Sequence, residues 1–224
     1  MTEKWGIIIY KLPLKSTSQI PINSQKNNSD TYRGGNPGEN DTGGIMADIL
    51  QELLKRRSCR KYKSSLIKDE ELEKIITAGE YAASGKNLQS AIIIAVTNKA
   101  VRDKISAMNA AVLGQGPEVD PFYGAPEILI VLADKNVPTH IYDGALVMGN
   151  MMAEASSLGI GSCWIHRARE EFQTEEGKAM LKAWGISGDY EGIGHLAIGY
   201  PVVTVQKALP KPPPRKENYV YFIK

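Results

Sequence analysis

Tyr142-Asp143-Gly144-Ala145-Leu146-Val147-Met148-Gly149-Asn150-Met151-Met152-Ala153-Glu154-Ala155-Ser156-Ser157-Leu158 is the stretch on which the fold turns. It reads as one helix, closed by Gly159, a residue suited to the left-handed position after a helix end. Ala145, Leu146, Val147, Met148, Met151, Met152, Ala153 and Ala155 leave it little polar face. A helix apolar nearly all round is expected to be buried on all sides. In so small a chain that also points to a subunit interface.

Working outward, short apolar runs flank this helix and alternate with further helices. Ile128–Leu132 precedes it, and Cys163-Trp164-Ile165 follows it. Ala91–Val96 reads as a strand buried on both faces, and His195–Ile198 as another strand. Helices are expected from Ile49, Leu50, Leu53 and Leu54, from Asp69-Glu70-Glu71 into Leu72, Ile75 and Ile76, and over 101–112. One more is expected from a Thr174 cap through Met180, Leu181 and Trp184 to Gly185. A connector with Pro210, Pro212, Pro213 and Pro214 leads to Asn218–Ile223, which reads as a terminal strand. Non-adjacent strands separated by helices predict an α+β sandwich around a central mixed sheet.

The 224 residues are enough for one medium domain with an appended tail. Residues 1–45 are rich in Ser, Asn, Gln, Asp, Gly and Pro, cannot bury enough apolar surface to offset chain entropy, and read as disordered. The folded unit is expected over 46–224. A net charge of +2 gives no reason to expect nucleic acid as a partner. No segment has the length and apolarity of a membrane span. Cys59 and Cys163 are far apart with no CxxC spacing and read as free thiols, so a cytoplasmic location is expected. His140, His166 and His195 show no metal-ligand spacing, and no metal is expected.

Three segments carry possible chemistry. Arg56-Arg57-Ser58-Cys59-Arg60 packs three guanidinium groups and a hydroxyl into one turn, an anion site by geometry or a helix C-terminus decorated with cations. Lys211, Arg215 and Lys216 form a second basic group, either a solvated tail or a partner that converges with the first on one phosphate. Gly79–Asn87 is not a phosphate-binding P-loop: the spacing is one residue too long, and Asn87 stands where a metal-binding hydroxyl is needed. Ala83-Ser84-Gly85-Lys86-Asn87-Leu88-Gln89 is better read as a polar loop whose two amides suit a heterocycle edge, or cap their own loop. Gly159-Ile160-Gly161-Ser162-Cys163-Trp164 lets backbone approach a flat ligand, or is a helix cap followed by a strand.

Taken in order, these segments resemble the FMN-dependent nitroreductase family over 46–224. Further landmarks are Tyr123-Gly124-Ala125-Pro126, Asp143-Gly144 and Ala197-Ile198-Gly199-Tyr200-Pro201. The resemblance implies a three-layer sandwich and an interlocked homodimer with FMN at the interface. It implies that Arg56, Ser58 and Arg215, with Arg57 and Lys216 or Lys211, hold the phosphate, and that Arg60 reaches the N1/O2 edge. Asn87 and Gln89 would read the O4/N3 edge from the partner subunit. Trp164, His166 and Arg167 would cover the ring and offer backbone N–H to N5, with His166 a possible proton donor or pocket wall. The implied activity is ping-pong transfer from NAD(P)H to nitroaromatics, quinones or other small acceptors. Other FMN chemistry on the same fold, or flavin binding without turnover, stays open. Ser90-Ala91 stands where many members carry Pro-Trp, and His166-Arg167 where small residues are usual, so the substrate pocket is expected to differ.

Overall fold

The computed structural model describes residues 49–202 and 214–223. The stretch over 1–45, the start of the folded unit at Met46, and the connector with Lys211 lie outside the described residues.

The helices are α1 (Ile49–Lys55), α2 (Asp69–Glu80), α3 (Lys99–Val112), α4 (His140–Ser157), α5 (Ala168–Gln173) and α6 (Glu175–Ala183), and the strands are β1 (Ala91–Val96), β2 (Glu127–Asp134), β3 (Gly161–Ile165) and β4 (Tyr190–Gly199). The sheet order is β1-β2-β4-β3, with each neighbouring pair antiparallel. The unbroken apolar run of β2 is explained by cover on both faces. Its even positions Ile128, Ile130 and Leu132 join a core with Ile105 of α3, Phe172 of α5 and Met180 of α6. Its odd positions Leu129, Val131 and Ala133 join a second core with Ile75 of α2 and Met148 and Met151 of α4. One face of the sheet thus carries α3, α5 and α6 and the other α2 and α4, a three-layer α+β sandwich.

Three expectations are corrected in detail. In place of a mixed sheet, the four strands are antiparallel throughout. Among the described residues the parallel element shrinks to one isolated bridge, Ser58 to Ser162, because the chain turns at once and Tyr62 pairs antiparallel with Pro201. Ala91–Val96 meets both cores, Ile92 and Ile94 one and Ala91 and Ile93 the other, but is only half-buried, since β1 is an edge strand. Asn218–Ile223 forms no strand: Tyr219 to Ile223 are 63–95% exposed, and β propensity without a paired edge or a covered face does not make a ladder. Helix α4 buries one side within the chain and leaves open the side for which a subunit interface is expected. Val147, Met148, Met151 and Ala155 are buried, while Ile141, Tyr142 and Leu146 lie open within the single chain.

Two glycines set how closely α4 sits. A Cβ on Gly144 would lie 2.5 Å from Ile193 Cγ1, and one on Gly79 of α2 would lie 2.8 Å from Met151 Cγ. Ile193 is itself the unpaired residue of a β-bulge: Val131 faces Gly194 and Leu132 faces Gly192. The other caps follow the sequence reading. Thr174 Oγ1 accepts from Gly177 N at 3.0 Å, and Gly159, at φ 72°, closes α4 with Ile160 N donating to Ala155 O at 2.8 Å. Among the described residues no helix is long and apolar enough to cross a membrane.

Candidate functional site

The basic turn after α1 is stitched along β3 and the end of β4. Cys59 N donates to Ser162 O at 2.8 Å, Lys63 N to Tyr200 O at 2.8 Å, and Val202 N to Lys61 O at 3.2 Å. Gly161 permits this approach, since a Cβ there would stand 2.7 Å from Cys59 Sγ. The Tyr62 hydroxyl donates to Cys59 O (2.8 Å) and Ala197 O (3.2 Å), locking the arm to β4. Burial, with both thiols nearby, pushes that phenol far up and keeps it protonated. Cys59 and Cys163 are free and buried. Burial also pushes the Cys163 thiol up; the Arg60 charge and a hydrogen bond with Ser58 oppose this without reversing it. A protonated buried thiol is a packing group, not a nucleophile.

This stitching shapes a cavity of about 150 Å³ whose lining includes Arg56, Arg57, Gly159, Gly161 and Ser162. Arg56 and Arg57 are half-buried, whereas Ser58 and Arg60 are exposed. Arg57 Nη1 donates to Leu54 O (2.8 Å) in the last turn of α1 and to Arg56 O (2.7 Å) just beyond it, so it does cap the helix end. Its Nε, however, is buried with no hydrogen-bond partner. Arg60 lies with its guanidinium carbon 5.7 Å from the centre of the Tyr123 ring.

The amide loop is a single 3-10 turn, Gly85–Asn87, and Lys86, Asn87 and Gln89 all have positive φ (52°, 55° and 48°). Non-glycine residues in this region cost about 1–3 kcal/mol each and need outside restraint. The restraint is Asp143, 3% exposed at the start of α4. Its carboxylate accepts from Gly85 N (2.9 Å), Ser90 Oγ (2.7 Å) and Thr139 Oγ1 (3.1 Å). Burial raises the Asp143 carboxyl, but these hydrogen bonds outweigh it and hold the group below its ordinary range. Gln89 N donates to Ser84 Oγ at 3.1 Å, and Gln89 Nε2 leans on Asn87 Oδ1 at 3.4 Å. Asn87 and Gln89 are exposed.

Tyr123 also has a positive φ, 56°. Asp120 holds its loop by accepting from Phe122 N (3.0 Å), Gly124 N (2.7 Å) and Ser106 Oγ (2.8 Å), and by pairing with the buried Arg102 at 2.5 Å. At the far end of β3, Trp164 is half-buried, His166 exposed and Arg167 half-buried. Arg215 and Lys216 are exposed, do not line the basic cavity, and share no hydrogen bond with Arg56 or Ser58; Lys216 Nζ instead sits 5.5 Å over the Tyr219 ring. Of the expected phosphate-holding residues that are described, Arg56 and Arg57 line the cavity, whereas Ser58, Arg215 and Lys216 do not.

Comparison with known proteins completes this picture. The sequence model of the Nitroreductase family matches residues 53–200. This chain belongs to the Nitroreductase family. A relative from Archaeoglobus fulgidus, named for NADH dehydrogenase or NAD(P)H nitroreductase activity, is 30% identical over 161 residues, covering 70% of this chain and 87% of that one. A Bacillus subtilis protein named FMN reductase [NAD(P)H] is 28% identical over 146 residues, covering 55% of this chain and 56% of that one. Among solved structures, a Bacteroides fragilis nitroreductase with bound FMN superposes with a TM-score of 0.70 at 27% identity, over 80% of this chain and 100% of that one. In this chain, the sequence pattern does not mark Asp120, Arg102 or Asn109. Asp143 had been noted only as the residue opening α4, where an acid is ordinarily read as a helix-dipole partner.

Proposed function

We propose that this chain is a dimeric NAD(P)H-dependent FMN oxidoreductase that works by a ping-pong sequence on nitroaromatic, quinone or related small acceptors. The observation that carries the reading is the cavity between the basic turn and β3, with Arg56, the orphaned Arg57 Nε and Ser162 around it. A buried donor without a partner beside clustered guanidinium groups fits a phosphate head group. At about 150 Å³ the cavity is below the roughly 300–1,000 Å³ of a site for a whole ligand, so the ring of FMN must lie outside it. A second subunit seated on the open Tyr142 and Leu146 face of α4 completes such a site.

In this reading Arg56, Ser58 and the free edge of Arg57 hold the phosphate, and Arg215, Lys216 and Lys211 close over it. Arg60, steadied by Tyr123, places positive charge at the N1/O2 edge. Asn87 and Gln89 present amides to the O4/N3 edge of the partner's flavin. Trp164, His166 and Arg167 form the wall over the ring. When bound, FMN would supply the two-electron redox chemistry. The protein's part is to orient donor and acceptor in turn on one face and to favour the negative charge that reduction brings. No side chain is assigned as acid or base: protons come from solvent, and His166 is the nearest candidate donor.

The test is direct. The purified protein is expected to be yellow or to take up FMN, to run as a dimer by light scattering, and to consume NADH or NADPH with a quinone or nitroaromatic. A monomer that stays colourless with FMN in excess refutes the reading.

A further inference from the structure

The turn between β3 and α5 is held by a polar network that the fold does not need for its connectivity. Asn109 of α3, Glu171 of α5 and His195 of β4 are each fully buried. His195 Nε2 lies 2.8 Å from Glu171 Oε2, and the Asn109 amide nitrogen donates to Glu171 Oε1. The same amide nitrogen donates to His166 O at 3.0 Å, while Asn109 Oδ1 accepts from Arg167 Nε at 2.9 Å. Every polar group of Asn109 is thus used, and the reversed amide would set oxygen against oxygen at both His166 and Glu171. Behind the pair, His195 packs edge-on to Phe122 with ring centres 5.2 Å apart, and its Nδ1 has no partner. The imidazole therefore acts through Nε2 alone, as the anchor of Glu171.

What this network grips is strained. Arg167 has φ 82° and caps α5 with no side-chain cap of its own. A bulky non-glycine residue holds that conformation only when its surroundings over-determine it.

We infer that Asn109 is a positioning residue, which, through Glu171 and His195, fixes the His166-Arg167 backbone at the place where the ring of FMN packs. This rests on the flavin reading given above. The chemistry tolerates little slack: a displacement of about 1 Å can cost about a hundredfold in rate.

Asn109→Ala and Arg167→Gly test it, the second because glycine relieves the left-handed strain while cutting the guanidinium contact, so it folds even if the first does not. In cofactor-free protein, amide hydrogen exchange over 165–169 is expected to speed up about tenfold or more in both variants, with the rest of α3 and α5 still protected. With FMN bound, reduction by NADH is expected to slow about 10- to 100-fold in Asn109→Ala, and less in Arg167→Gly, at full FMN occupancy. Unchanged exchange at the turn, exchange rising evenly through α3 and α5, or an unchanged reduction rate each overturns the inference. A wild-type chain that takes up no FMN overturns the flavin reading, and that failure is told apart from failure of the Asn109 tether because the exchange result needs no cofactor.

Discussion

Replacing Asp143 separates the charge of its carboxylate from its shape. In Asp143→Ala the Gly85 N–H and the Ser90 hydroxyl, 2.9 and 2.7 Å from the carboxylate oxygens, lose their acceptor. Ser90 is 5% exposed, so water does not readily replace the lost partner. At about 1–3 kcal/mol per stranded donor, with Thr139 free to turn toward solvent, the loss is about 4 kcal/mol. Asp143→Asn keeps the oxygen facing Gly85 and lets both hydroxyls accept from its nitrogen, so it costs about 1–2 kcal/mol. For a domain of this size these figures correspond to falls in Tm of about 8–16 °C and 2–8 °C. The assay is thermal and denaturant unfolding of the cofactor-free protein, with amide exchange over 85–89 as the local readout. The pH dependence adds a second check. The Asp143 carboxyl is held below its ordinary value of 3.8, so its contribution is complete above that value and is lost as pH falls through the folded pKa. The gap between wild type and Asp143→Asn should therefore narrow in acid. Equal losses in the two variants, or unchanged exchange at 85–89 in Asp143→Ala, would refute the claim that this carboxylate holds the strained loop.

Arg60→Ala is expected to lower the flavin potential by roughly 30–65 mV, the loss of one charge-assisted hydrogen bond, while FMN still binds; Tyr123→Ala should shift it less, in the same direction, and redox titration of the purified holo-proteins measures both. Glu127, 2% exposed and accepting from Ile67 N at 2.8 Å, has its carboxyl pushed up by burial. The folded state therefore holds its proton more tightly than the unfolded chain, and stability falls as pH rises through that range. Glu127→Gln, which still accepts from Ile67, should remove this loss, so its Tm advantage over wild type is expected at pH 7 and not at pH 4. Gly144→Ala, whose new methyl would meet Ile193 Cγ1 at 2.5 Å, is expected to cost about 1–3 kcal/mol by denaturant unfolding.

The layers of the fold were readable because burial leaves a plain mark on composition. β2 is apolar at every central position, and its even and odd residues do feed separate cores. The same logic misjudged the tail, and for α4 it points beyond the single chain. An apolar residue says that some surface covers it, but not whether that surface belongs to the same chain. Tyr142 and Leu146 are open here, as are Tyr219 to Ile223. The site was legible only as a set of residue types. Arg56, Arg57 and Ser58 were placed together by adjacency alone, while the second basic group at Arg215 had no local signal to say where it folds.

What the sequence could not show is the strain and how it is held. Apart from Asn218, the described non-glycine residues with positive φ fall on three loops: Lys86, Asn87 and Gln89 on one, Tyr123 on the second, Arg167 on the third. Glycine at these positions would have announced left-handed backbone, and its absence made each loop look ordinary. Two of these loops are instead tied by a carboxylate or amide from elsewhere, Asp143 and Asn109, and the Tyr123 loop by its own Asp120, which Arg102 and Ser106 of α3 fix in place. Asp120 is itself held below the ordinary carboxyl range: burial opposes this, and the hydrogen bonds from Arg102 and Ser106 outweigh it. A side chain that bonds to backbone far along the chain leaves no periodicity, so no reading of spacing finds it. Yet these tethers decide where the loops' side chains stand. Glycine at the strained positions would relieve the backbone and leave the loops free to move, whereas the tethered residues hold them where a ligand would meet them.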